Sequence, residues 1–286
     1  KGGNGGSTYS GGGAAAAGGL GGAADAYGLK ALSASGVVTA RQITVKATAG
    51  NGGYSAYDSQ TTPPDNSTGG HATTHGLLLV NSEQLTVNTD KITVTATGGN
   101  GGVSYASGNG GSQGGDAHAY GVQATEGIMT VNASDIDATA IGGKGSYGKT
   151  GGQGGGAIAC GLGVQSATAG TFEVNNINVS ANASDGGSGG GATGNNGGDG
   201  GISKATGLSL LESNTLNIQV ADLNITSLGG EGGGGGSSYG DGNGGAGGMG
   251  GATSAYGLDV LSATGVVTAK DIVVAATAKA GGVGGI

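Results

Sequence analysis

The chain has 286 residues, a net charge of −8, 74 Gly, 2 Pro, one Phe and no Trp. That composition cannot build a conventional aromatic and Leu-rich core, and the acidic balance disfavours nucleic acid and anionic membrane, which need a basic surface. Only 10% of residues are charged while Val, Ile and Thr recur at ordered positions, so disorder is the poorer reading.

No apolar run approaches the roughly 20 residues needed to span a bilayer, so no membrane insertion is expected in this segment. The lone Cys160 leaves no internal disulfide. The chain opens at Lys1 without Met, so it is expected to be a mature product or a piece of something longer.

Taken in chain order, one unit recurs six times, over residues 1–49, 50–97, 98–141, 142–182, 183–228 and 229–286. A tetrad anchors each copy: Ala26-Tyr27-Gly28-Leu29, Thr74-His75-Gly76-Leu77, Ala119-Tyr120-Gly121-Val122, Ala159-Cys160-Gly161-Leu162, Ala205-Thr206-Gly207-Leu208 and Ala255-Tyr256-Gly257-Leu258. The anchor glycines stand 48, 45, 40, 46 and 50 residues apart. The distance from each anchor to Ile43, Ile92, Ile136, Ile177, Leu223 or Ile272 is always 15 or 16. Length therefore varies almost entirely in the glycine-rich tracts.

Inside the unit the period is two, which marks strands. A first strand is predicted from the anchor, with Leu29, Leu77, Val122, Leu162, Leu208 and Leu258 on one face. Val38, Val87, Val131, Phe172, Ile218 and Val267 mark a second. The third alternates Ile43/Val45, Ile92/Val94, Ile136/Ala138, Ile177/Val179, Leu223/Ile225 and Ile272/Val274 with polar residues. Polar corners such as Asp90-Lys91 and Asn175-Asn176 separate the last two, since Asn and Asp bond the local backbone at bends. The fold class expected is all-β: a parallel β-solenoid of six three-strand rungs, stacked at about 4.8 Å into a core about 29 Å long. No rung can bury its apolar face alone, so neighbours are required.

The glycine-rich tracts have two readings, which stay open at this stage. They are flexible loops, or they are extended polyglycine-II-like strands forming a second layer. The small columns Ala24/Ala72/Ala117/Ala157/Ser203/Thr253 and Ala26/Thr74/Ala119/Ala159/Ala205/Ala255 favour close approach of another backbone.

Sites of chemistry are hard to find. His71, His75 and His118 invite a metal, but His75 occupies the column of Tyr27, Tyr120 and Tyr256, so a structural variation explains it better. Asp185, Asp199, Glu231 and Asp241 lie in glycine tracts, yet the nonapeptide period of calcium-binding β-rolls is absent, which leaves calcium a minor alternative. No Gly-Lys-Ser/Thr loop is present for phosphate. The polar sheet face carries Thr44, Thr93, Asn178, Asn224 and Val273 rather than paired acids, so an enzyme is not expected. Thr93-Val94-Thr95-Ala96-Thr97 is a short threonine array, but Lys46, Asp137 and Asn178 interrupt it, so ice binding is a minor reading. No catalytic, cofactor-binding or metal-ligating residue is assigned.

The cassette AYGLKALSASGVVTARQITVKATAGNGG, Ala26–Gly53, resembles the repeats of large bacterial surface proteins of the autotransporter and filamentous-haemagglutinin type. The resemblance implies export to the cell surface or beyond, a right-handed parallel β-helix, and adhesion or surface coating. The glycine tracts are more similar to phage adhesins with polyglycine helices.

The first and last cassettes match best: Ala26–Ala49 and Ala255–Ala278 share 17 of 24 residues. The segment is therefore expected to come from a longer array, or to continue end to end. The leading expectation is a structural segment of an extracellular fibre or surface filament, with copies of itself as partners, end to end or side by side. The rival is an adhesin that binds a receptor or glycan through inserts bearing Tyr54, Tyr57 and Tyr105.

Overall fold

Alternating apolar and polar residues hold each copy extended, and equivalent residues of successive copies pair in parallel. The computed structural model describes residues 18–53, 67–103, 110–190, 195–236 and 244–285. Among them are ten strands: β1 (Ala24–Leu32), β2 (Gly36–Thr48), β3 (Ala72–Thr97), β4 (Ala117–Ile141), β5 (Ala157–Gln165), β6 (Ala169–Asn182), β7 (Ser203–Leu211), β8 (Leu216–Leu228), β9 (Thr253–Leu261) and β10 (Gly265–Thr277).

The solenoid of three-strand rungs is not what forms. Copies two and three each run as one strand of 26 or 25 residues, and the others as two strands. All ten lie in a single parallel sheet with a seven-strand path β10-β8-β6-β4-β5-β7-β9, to which β1 and β2 attach through β3. The sheet curls until it is nearly closed, like a barrel. One wall holds the first limb of every copy and the other wall the second.

The expected polar corner fails to divide a strand for a physical reason. Pairing skips only one residue there, between Ala40↔Thr89 and Gln42↔Lys91 and again between Thr89↔Ala133 and Lys91↔Asp135. Because neighbouring copies bend at the same register, the ladder resumes at once. The anchor glycine is skipped in the same way, between Tyr27↔His75 and Leu29↔Leu77.

The real reversal lies between the limbs. Ser33, Asn81, Glu126, Ser166, Glu212 and Ser262 all take φ between 46° and 56°, a column of left-handed residues. A second left-handed position falls at Gly36, Gln84, Thr215 or Gly265.

The core is a set of one-residue-deep columns. Leu77, Val122, Leu162, Val87, Val131, Phe172, Ile218, Ile92, Ile136, Ile177 and Val94 are fully buried, and Leu208, Leu223, Ile225 and Val179 nearly so. The walls are close because the anchor glycines let them be. A Cβ on Gly76, Gly121 or Gly161 would stand 2.3 Å from Ile92, Ile136 or Ile177 Cγ2 of the opposite wall. Gly28, Gly207 and Gly257 face Ile43, Leu223 and Ile272 in the same way.

The described glycine tracts form an ordered second layer bonded backbone to backbone, with a three-residue period, that of a polyglycine or polyproline-II helix. In each triplet one N–H crosses to a neighbouring tract of opposite sense: Gly70 donates to Gly50, Gly99 to Gly70, Gly115 to Gly99 and Gly143 to Gly115. A second donates to the equivalent tract of the next copy, as Gly52 to Asn100, Gly101 to Lys144 and Gly145 to Asp185. The third points outward and is met by a side chain: Asn100 N–H donates to Asn51 Oδ1, Lys144 N–H to Asn100 Oδ1 and Glu231 N–H to Asp185 Oδ1, each at 2.9 Å. These bonds give the described tract amides partners outside their own segment, which is what a layer without β-strand pairing must achieve.

Candidate functional site

Two features stand apart from the packed interior: the open edges of the sheet, and the side-chain columns on its surface. Among the described residues, β1 and β2 pair only with β3, β9 only with β7, and β10 only with β8. Core columns surface at these edges. Leu258, Ile272 and Val274 are 44%, 51% and 44% exposed, whereas Leu162 and Ile177 of the same columns are at 0%. Val267, Leu29, Val38 and Ile43 are partly buried, and Val45 is buried.

The aromatic column lies on the outer side of the first wall. His75 stacks between Tyr27 and Tyr120, with ring centroids 5.1 and 4.9 Å away and interplanar angles of 10° and 18°. Its Nε2 is 2.8 Å from Gln123 Oε1, while Nδ1 is buried with no hydrogen-bond partner. Burial pushes the His75 pKa down, against the upward pull of the Gln123 contact and Asp25. Burial likewise raises Tyr120. Next in the column, buried Cys160 is pushed up to about 12 by desolvation, so its thiol stays protonated.

The three histidines do not converge on one point. His71 Nδ1 accepts the Asp116 N–H at 3.1 Å, and His118 meets Tyr120 edge-on. Among the described residues there is no group of three or more His, Cys, Asp or Glu that could hold a metal. The tract carboxylates serve the backbone. Asp199 Oδ1 accepts the Met249 N–H at 2.8 Å, and Asp116 Oδ1 accepts the Gly156 N–H at 2.7 Å. Burial raises the Asp185 carboxyl, but the Glu231 N–H and the Lys279 ammonium at 3.0 Å outweigh it and hold the group below its ordinary value. Asp241, Tyr54, Tyr57 and Tyr105 lie outside the described residues.

The column of Thr44 and Thr93 continues as a chain of amides. Asn224 Nδ2 donates to Asn178 Oδ1 at 3.1 Å, Asn178 Nδ2 to Asp137 Oδ1 at 2.8 Å, and Lys91 Nζ lies 2.7 Å from Asp137 Oδ2. Asn132 Nδ2 bonds Asn88 Oδ1 in a second such ladder. Two grooves follow the columns. One, of about 690 Å³, runs between the first wall and the glycine layer past Asp116, His118, Ile158, Ile202, Lys204 and Met249. The other, of about 510 Å³, follows the polar corner past Arg41, Asn88, Asp90, Asn132, Glu173 and Asn175. No helix among the described residues is long and apolar enough to cross a membrane.

No family model, curated protein or solved structure matches this chain. The resemblance of its cassettes to bacterial surface proteins therefore rests on their pattern alone.

Sequence reasoning missed three features that organise this surface. The left-handed column had no signal beyond a small or polar residue five places after each anchor. The amide chain was visible only as a polar column. The tract triplets did carry a signal, the spacing x-Gly-Gly in Asn51-Gly52-Gly53, Asn100-Gly101-Gly102 and Asp185-Gly186-Gly187.

Proposed function

We propose that the chain is a structural repeat segment of an extracellular fibre or cell-surface filament, which lengthens by strand pairing at its open sheet edges. The supporting observation is the contrast at those edges: core-column residues are sealed inside the array and exposed on β9 and β10. Natural sheets normally cover or blunt an edge, because unpaired N–H and C=O groups template further pairing. Here the edges are long, and Val266, Val273 and Val274 stand exposed along β10. Repetition supplies the mechanism, since every copy adds the same columns and the same glycine triplets. The extracellular setting rests on the resemblance of the cassettes to surface proteins.

The test is sedimentation velocity over a wide concentration range, with negative-stain electron microscopy of the same samples. Concentration-dependent growth into thin rods is expected. A segment that stays monomeric at millimolar concentration, with no rods on the grid, overturns the reading.

A further inference from the structure

We infer that the junction between two copies is head-to-tail and in one register, with the β9/β10 edge of one copy pairing in parallel with the β1/β2 edge of the next. This rests on the reading of the segment as a self-associating element, and it specifies the contact.

The register follows from the pairing inside the molecule. Every internal step aligns anchor residue with anchor residue, as Tyr27↔His75, Cys160↔Thr206 and Thr206↔Tyr256. One further step sets Tyr256 against Tyr27 of the next copy, Leu258 against Leu29, Ile272 against Ile43 and Val274 against Val45. Each pair joins like with like, so the apolar columns continue without a change of side-chain size.

Charge selects the polarity. The column two places beyond the anchor reads Lys30, Leu78, Gln123, Gly163, Ser209, Asp259. Only its two ends are charged, and with opposite sign. Head-to-tail pairing in the internal register puts Asp259 opposite Lys30, an opposite-charge pair. Head-to-head contact would run strands antiparallel, whereas every strand pairing among the described residues is parallel. One corner opposes the register, because Lys270 falls beside Arg41. Asp271, whose Oδ2 is 4.0 Å from Lys270 Nζ, sits next to both and offsets that repulsion.

The glycine layer continues in the same step. Gly21, Gly69, Gly114, Gly154 and Gly200 donate to the carbonyls of Thr68, Gln113, Gln153, Asp199 and Met249. The next donor is Gly250, and the equivalent carbonyl on a second copy is that of the exposed Leu20. A heterologous contact of this kind repeats without closing and so generates a filament.

Charge reversal tests the register on the whole 286-residue chain. Asp259→Lys sets two lysines together, and Lys30→Asp sets two aspartates together. Each single variant should raise the concentration needed for assembly by roughly threefold or more, the scale of a directly opposed like-charge pair. The double variant Asp259→Lys/Lys30→Asp restores an opposite pair and should assemble within about twofold of the wild type. Circular dichroism checks that each variant stays folded. Wild-type rods with unimpaired single variants, or a double variant no better than the singles, overturn this junction and leave self-association standing. A wild type that never assembles overturns both.

Discussion

A Cβ placed on Gly161 would lie 2.3 Å from Cγ2 of Ile177, which reaches across the core from the facing wall. Gly161→Ala therefore forces the walls apart or twists Ile177 from its rotamer, and should cost roughly 1–3 kcal/mol or more. Ile177→Ala alone leaves a cavity and should cost about 2–5 kcal/mol. The two changes share one space, so the double variant should be less destabilised than their sum. Urea unfolding of the four proteins measures that coupling, and strict additivity would remove the clash as the reason for the anchor glycine.

The glycine layer yields a contrast between adjacent residues. A Cβ on Gly143 would meet the Gly99 carbonyl oxygen at 1.9 Å, and that oxygen belongs to backbone with no room to yield. Lys144, the next residue, is the outward residue of the following triplet and is exposed. Gly143→Ala should unravel the local layer, read as a burst of amide exchange over residues 98–102 and 142–146. Lys144→Ala should leave exchange and midpoint nearly unchanged, within about 0.5 kcal/mol. Equal effects of the two substitutions would refute the triplet geometry.

The legibility of these features follows from their physics. Columns such as Ile92/Ile136/Ile177 could be read because burial on one wall imposes a period of two and each copy repeats it. The strand count could not. Whether a polar corner ends a strand depends on whether its neighbour breaks pairing at the same place, and Asp90 and Ser134 are skipped at one register. The anchor glycines were found by recurrence, but their purpose depends on Ile92 or Ile136 arriving from the other wall. The surface edges were legible only as the close match between the first and last cassettes. Which columns they would leave exposed required the sheet.

Thr215 takes φ 49°, a left-handed conformation that a β-branched residue adopts at a cost. Eight residues past the anchor, where Thr215 stands, the first and last copies hold Gly36 and Gly265, both at positive φ, although strand pairing sets Gly265 against Leu216. Thr215→Gly should therefore stabilise the chain, by about 1 kcal/mol after the entropy of a freer unfolded chain is set against the relief of strain. The check is the thermal or urea midpoint. A lower midpoint would mean that side-chain contacts of Thr215 outweigh its backbone strain.

His75 should make stability depend on pH. The groups around it are Tyr27, Tyr120, Gln123, Asp25 and Lys30. Burial dominates, so the folded pKa lies below the ordinary 6.5. Protonation would place a second N–H at Nδ1, which has no acceptor within reach. As pH falls below 6.5 the unfolded chain takes up a proton that the folded chain refuses, and the unfolded state is favoured. The stability from neutral His75 is thus present above that value and drains away as pH drops toward the folded pKa, at most about 1.4 kcal/mol per pH unit. His75→Tyr, which copies Tyr27 and Tyr120, removes the titrating group while keeping the stack. Urea midpoints at pH 8 and pH 5 should therefore fall further for the wild type than for His75→Tyr. The Asp185 carboxyl titrates below 3.8, outside this window, so it does not mask the comparison. Parallel pH profiles for the two proteins would show that His75 is as easily protonated in the fold as in the unfolded chain.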